Sequence, residues 1–166
     1  MLKRKLKVYL DTNMVYGLFK RILQTIFEGR EFTVPWKIQI IHDNPDKIEP
    51  YTSFFTLIEV IEELRKWSRK KKIKLGKVQI QTLLDFFKDN FRIEVLRLVR
   101  ITDKTLDYVL DGVEWKDAIQ LEITRNNNFT LVTDDDDLRN RGRKHYSDIL
   151  DFKGLIDEIE KRELTS

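Results

Sequence analysis

A chain of 166 residues with 41% hydrophobic and 11% aromatic content is long enough to bury a core and is not composed like a disordered tail. It has no cysteine and two histidines, His42 and His145, which excludes disulfides, thiolate nucleophiles and zinc centres built on thiolate or clustered imidazole. The net charge of +3 permits contact with a polyanion without requiring it. No run reaches signal-peptide or membrane-span length, so the expected location is cytoplasmic.

Lys5 to Leu10 alternates Leu6, Val8 and Leu10 and predicts a strand. Asp11-Thr12-Asn13 ends it and supplies N-cap residues for a helix over Met14 to Glu28. Gly29 to Pro50 holds all three prolines and reads as an insertion, with a short strand at Trp36 to Ile41. Tyr51 to Phe55 is β-prone, and helices are expected over Leu57 to Lys72 and Lys77 to Lys88. Phe91 to Val99 alternates as a strand. Helices then cover Asp103 to Leu110 and Trp115 to Arg125, and Phe129 to Thr133 is a short apolar strand. A weaker strand at His145 to Leu150 precedes a helix to Arg162. Strands alternating with helices predict a three-layer α/β/α sandwich around a mostly parallel sheet, with residues 1–166 forming a single domain.

In such sheets ligands bind beyond the carboxyl ends of the strands. Two strands end in acid there, one running into Asp11 and one through Thr133 into Asp134, Asp135, Asp136 and Asp137. Glu59 and Asp117 lie at helix starts facing the same edge. Like charges gathered so closely resist joint ionisation unless a cation joins them. Mg²⁺ or Mn²⁺ suits a donor set of oxygens alone, and keeps waters for exchange with a phosphodiester.

Each acid also has a plainer role open to it. Asp11 is a natural N-cap, Thr56-x-x-Glu59 has capping-box spacing, and Glu59 falls opposite the stripe of Leu57, Val60 and Leu64. Asp117 in a first turn complements the helix dipole, and the Asp run reads as a solvated loop. The plainer roles leave unexplained why all four acids fall in order at one rim.

Leu10-Asp11-Thr12-Asn13, Ser53 to Glu59 (SFFTLIE), Asp117-Ala118-Ile119 and Leu131-Val132-Thr133 followed by acids make the chain resemble the PIN-domain family, which includes VapC-type toxins and RNA-processing nucleases. The resemblance implies a Mg²⁺- or Mn²⁺-dependent ribonuclease with Asp11, Glu59, Asp117 and Asp135 as catalytic and metal-holding residues, supported by Asn13 and Thr133. It further implies a homodimer and an antitoxin protein partner. Gly29 to Pro50 has no clear counterpart in the family pattern. The run Asp134 to Asp137 replaces a more mixed motif, so Asp134 or Asp137 competes with Asp135 for the fourth position.

Between Leu64 and Leu84 stand eight Lys or Arg and no acid, including Lys70, Lys71 and Lys72. They read either as an RNA-contacting surface or as a solvated helix end that complements the dipole. Trp67 falls on the apolar stripe and is expected in the core. Asp103, Asp107 and Asp111 share a helical face and read as solvated. Two rival functions are a PIN-like RNA-binding module without catalysis and a phosphoacceptor signalling domain. The second lacks the acidic pair at the first strand and the late lysine that such chemistry needs. A haloacid-dehalogenase-type phosphatase would need a second Asp where Asn13 stands.

Overall fold

The computed structural model describes residues 4–97 and 99–164. Among these, the elements in chain order are β1 (Leu6–Leu10), α1 (Thr12–Glu28), α2 (Trp36–Asp43), β2 (Ile48–Ser53), α3 (Phe54–Lys70), α4 (Lys77–Asn90) and β3 (Glu94–Leu96). The second half continues with α5 (Asp103–Leu110), α6 (Trp115–Asn127), β4 (Thr130–Val132), α7 (Asp136–Gly142), β5 (Ile149–Leu150) and α8 (Phe152–Glu163). The strands pair in parallel in the order β3-β2-β1-β4-β5, with Leu6 opposite Ile48 and Leu10 opposite Val132.

Alternation along the strands builds two cores, one on each face of the sheet. Val8, Leu10 and Val132 point into the first, packed against α1, α3, α4 and α8 through Leu18, Leu57, Phe87 and Leu155. Tyr9, Leu131 and Ile149 point into the second, against Tyr108 of α5, Leu121 of α6 and Leu138 of α7. Helices therefore cover both faces, giving the expected three-layer α/β/α fold. Trp67 packs against the first core, as the stripe predicts.

The chain winds from β1 outward to β3, then returns to place β4 on the other side of β1. The gap between the ends of β1 and β4 is thus a topological switch point, where the crossovers leave in opposite directions and a crevice opens. Asp11 and Thr133 are the first residues past those two strands.

Three expectations are corrected. Trp36 to Ile41 is a helix, because Ile38 and Ile41 sit three apart on one face and both are buried. The described part of Phe91 to Val99 is strand at Glu94–Leu96 alone, with Phe91 and Ile93 still buried in the first core; Leu98 lies outside the described residues. The acid run is not a plain loop, since Asp135 caps α7. Boundaries move too: β2 begins at Ile48, inside the expected insertion, and the last strand shortens to Ile149–Leu150. Among the described residues no helix is long and apolar enough to cross a membrane.

Candidate active site at the carboxyl rim of the sheet

Asp11 stands at the start of α1 and is 3% exposed. As the N-cap it accepts a hydrogen bond from the Asn13 backbone N–H on Oδ1. Its Oδ2 accepts from the Thr133 hydroxyl, which joins the ends of β1 and β4. Thr133 Oγ1 in turn accepts from the Asp135 backbone N–H at 3.0 Å. Asp135 Oδ1 caps α7 by accepting from the Leu138 N–H at 3.0 Å. The plainer capping roles of Asp11 and Asp135 are therefore real, and they hold both carboxyl groups at the switch point. Asn13 contributes through its backbone, while its side chain is exposed.

Glu59 departs from its plainer readings. It is 7% exposed rather than solvated. The cap of α3 is Ser53, whose Oγ accepts from the Thr56 N–H at 3.2 Å, so Glu59 completes no capping box. Ser53 and Thr56 are themselves steadied by the buried Tyr9 hydroxyl, 2.7 Å from each side-chain oxygen. Glu59 Oε2 accepts from Thr12 Oγ1 at 2.8 Å and from Gln120 Nε2 at 3.1 Å. The Gln120 amide thereby links α6 to α3, and it also reaches Thr12 Oγ1 at 3.1 Å. Its own carbonyl oxygen is buried without a hydrogen-bond partner. Lys116 Nζ lies 3.6 Å from Glu59 Oε1 and 3.4 Å from Glu62 Oε2. Burial alone would lower the Lys116 pKa, but these two carboxylates hold it above its ordinary value.

Asp117 is half-buried in the first turn of α6, one turn before Gln120. Among the described residues it makes no hydrogen bond or salt bridge. Burial pushes its carboxyl up to about 7, helped by the charges of Asp135, Glu114, Asp11 and Glu59. Asp11 rises to about 6, again chiefly through burial, with Thr133 and Asn13 opposing and Asp135 and Asp134 adding to the rise. Both carboxyls are thus raised by burial first and by the like charge of their neighbours second.

The members of the acid run separate. Asp135 acts electrostatically on both Asp11 and Asp117. Asp134 is exposed and ion-paired with Lys37 of α2. Asp136 pairs with Arg139, which also donates to the Thr133 carbonyl at 3.1 Å. Asp137 is exposed and lines a small cleft with Asp117, Glu114 and Arg141. Lys70, Lys71 and Lys72 lie at the far end of α3. Eleven residues separate Glu59 from Lys70, about 16 Å at 1.5 Å per residue.

Sequence reasoning missed Thr12, Gln120, Lys37 and Lys116. Gln120 had a signal, since it follows Asp117 by three positions on one helical face. Lys37 had none, because its partner lies ninety-seven positions away.

The sequence matches the PIN domain family over residues 8–144. No curated protein matches it. Among solved structures, PAE2754 from Pyrobaculum aerophilum is similar at 16% identity and TM-score 0.55, covering 94% of this chain and 96% of that one. The PIN domain endonuclease Utp24 is similar at 19% identity and TM-score 0.47, covering 91% of this chain and 88% of that one. At 16% identity the likeness to PAE2754 concerns the fold alone. PIN domains are generally nucleases, so the family match supports a nuclease-like role. With most of its length inside that match, the chain belongs to the PIN-domain family.

Proposed function

We propose that this chain is a metal-dependent ribonuclease that hydrolyses RNA phosphodiester bonds. The observation that carries the reading is that Asp135 acts electrostatically on both Asp11 and Asp117, and Glu59 on Asp117, at the switch point of a parallel sheet. Family resemblance supplies RNA as the substrate and the divalent ion as the cofactor.

The donor set fits Mg²⁺ or Mn²⁺ by its chemistry. Its candidate ligands are oxygens alone, its carboxylates are crowded, and Asp117 lacks a hydrogen-bond or salt-bridge partner among the described residues. There too, no three acids already stand as a ready cage. Asp11 and Asp117 are the residues to hold the ion, with Glu59 and Asp135 completing the site or serving a second. When bound, the ion supplies a water acidified for attack and charge to offset the phosphoryl oxygens.

The chain's own residues do the positioning. Thr133 fixes the Asp11 carboxylate by its hydroxyl, and Thr12 and Gln120 fix Glu59. Lys116 sits where it can face a phosphate oxygen while its charge is held by Glu59 and Glu62. Lys37 takes up the charge of Asp134, which leaves Asp135 as the fourth acid. Lys70, Lys71 and Lys72 are proposed to meet the RNA backbone away from the cleavage point. On α5, Leu106, Val109 and Leu110 are exposed at helical spacing, and this apolar stripe supports a protein contact, either the homodimer or an antitoxin. A toxin role in the cytoplasm follows from the same resemblance.

Purified protein is expected to cleave single-stranded RNA with Mg²⁺ or Mn²⁺ and to stop with EDTA. Cleavage that survives EDTA contradicts the metal mechanism. Inactivity on diverse RNAs with either metal favours the non-catalytic RNA-binding module.

A further inference from the structure

Two of the three tryptophans are exposed, and each opens a helix at the rim that carries the acids. Trp36 opens α2 at 60% exposure and Trp115 opens α6 at 53%. The two are built alike. Each is followed by a lysine that lies 5.6 Å from its ring centroid, Lys37 over Trp36 and Lys116 over Trp115. Each lysine is also paired with an acid at the rim, Lys37 with Asp134 next to Asp135 and Lys116 with Glu59. Each indole is steadied edge-on by a further ring: Phe152 at 4.9 Å for Trp36, Phe55 at 6.2 Å for Trp115.

Resting on the ribonuclease reading above, we propose that Trp36 and Trp115 are stacking platforms for the two bases that flank the cleaved phosphodiester of a single RNA strand. Large indoles left half in water or more are costly unless something covers them, and a base presents a flat π-face of matching size. In this proposal the base stacks on the indole surface that the neighbouring lysine leaves uncovered, and the lysine meets the adjoining phosphate.

The positions fit one strand crossing the rim. Trp115 lies on the α6 side of the sheet beside α3 and the end of β2, whereas Trp36 lies on the other side, against Phe152 after β5. Glu59, Asp117, Asp11 and Asp135 fall between them in the strand order β2-β1-β4. A strand held by one base at each tryptophan therefore lays its backbone across the carboxylates. Duplex RNA has its bases paired and stacked internally and offers no free face to either ring.

The test is binding of labelled oligonucleotides to the full chain in EDTA, followed by anisotropy, so that cleavage does not interfere. Four proteins are compared: wild type, Trp36→Ala, Trp115→Ala and the pair Trp36→Phe and Trp115→Phe combined. Three probes are used: single-stranded RNA, the same strand with abasic sites, and a blunt duplex. Thermal melts report that the variants fold. The proposal expects wild type to prefer the base-bearing single strand over both other probes. Each alanine change should weaken that strand by about tenfold and leave the abasic strand unchanged, with the phenylalanine variant keeping most of the affinity. Alanine variants that bind every probe like wild type overturn the platforms; if wild type still cleaves RNA with metal, the ribonuclease reading stands without them. Equal wild-type affinity for abasic and base-bearing strands also overturns them. If the alanine variants instead lose self-association on gel filtration and keep RNA binding, the indoles cover a protein interface and the proposal is wrong. A wild type that neither binds nor cleaves any strand removes both readings.

Discussion

The two ends of α3 have opposite character. Near its N-terminus Glu59 is buried, hydrogen-bonded by Thr12 and Gln120, and its charge acts on Asp117. At its C-terminus Lys70, Lys71 and Lys72 are exposed, and Lys71 lies 3.7 Å from Glu28. The basic end has a local cause, because cations complement the C-terminal dipole and water solvates them freely. The acidic end has no such freedom: Glu59 is held away from water and relies on Thr12, Gln120 and Lys116 as partners. The folded chain gives the basic end a local reason to exist, whereas the acidic end is the part on which the proposed function rests. Sequence density of charge misleads here: the most conspicuous run, eight cations, is the less demanding feature.

The largest effects should come from the acidic end. Asp11→Asn, Asp117→Asn and Asp135→Asn are each expected to slow single-turnover RNA cleavage by more than about a hundredfold, beyond what loss of a supporting partner typically costs. Asp134→Asn and Asp137→Asn should stay within a few-fold of wild type. An Asp134 variant as impaired as the Asp135 variant would move the fourth acid and undo the role given to Lys37. Next come the neutral supports: Gln120→Ala and Thr12→Val should each lower the rate by about 10- to 100-fold while the fold melts normally. Unchanged rates would mean that Glu59 needs no orienting.

The basic end should respond more gently and through salt. Replacing Lys70, Lys71 and Lys72 with Glu should weaken RNA binding and flatten its salt dependence, by about 0.7 in log–log slope for each phosphate no longer neutralised. An unchanged slope with intact folding assigns the whole run to solvation and sharpens the contrast along α3.

The smallest effect is thermal. Asp11 and Asp117 are raised to about 6 and about 7 in the folded protein, above the ordinary 3.8, so the native state keeps protons that the unfolded chain has released. Their stabilising contribution is full below about pH 4 and is lost as pH rises through 7. Metal-free protein should therefore lose melting temperature from these two groups across that window, and Asp11→Asn should flatten the slope. A wild-type slope of the opposite sign that Asp11→Asn leaves unaltered would show that the two carboxyls are not crowded.

Much of the fold is legible in the sequence because buried strands announce themselves by alternation. Leu6, Val8 and Leu10 do so, and the bounds of α5 are read as they stand. Short apolar runs are ambiguous between strand and helix periods, which is why Trp36 to Ile41 reads as strand although Ile38 and Ile41 share a helix face. In the site, charged residues can be read from strand ends, since topology alone brings Asp11 and Thr133 together. The neutral partners cannot: Thr12 and Gln120 look ordinary until α1, α3 and α6 meet. Nor can the sequence show that Glu59 turns inward, because its helical position alone points away from the stripe.

The central claim is that Asp11 is crowded by other acids for the sake of an ion, and thermal melts of wild type and Asp11→Asn, each with and without Mn²⁺, test it most directly. The account predicts that without metal the variant melts no lower than wild type, because removing one charge relieves repulsion. It predicts that the rise on adding Mn²⁺, which comes from binding to the native state alone, shrinks in the variant. A variant that melts lower without metal by the roughly 1 kcal/mol of a lost cap, yet gains as much from Mn²⁺ as wild type, would contradict the claim and leave Asp11 a helix cap only.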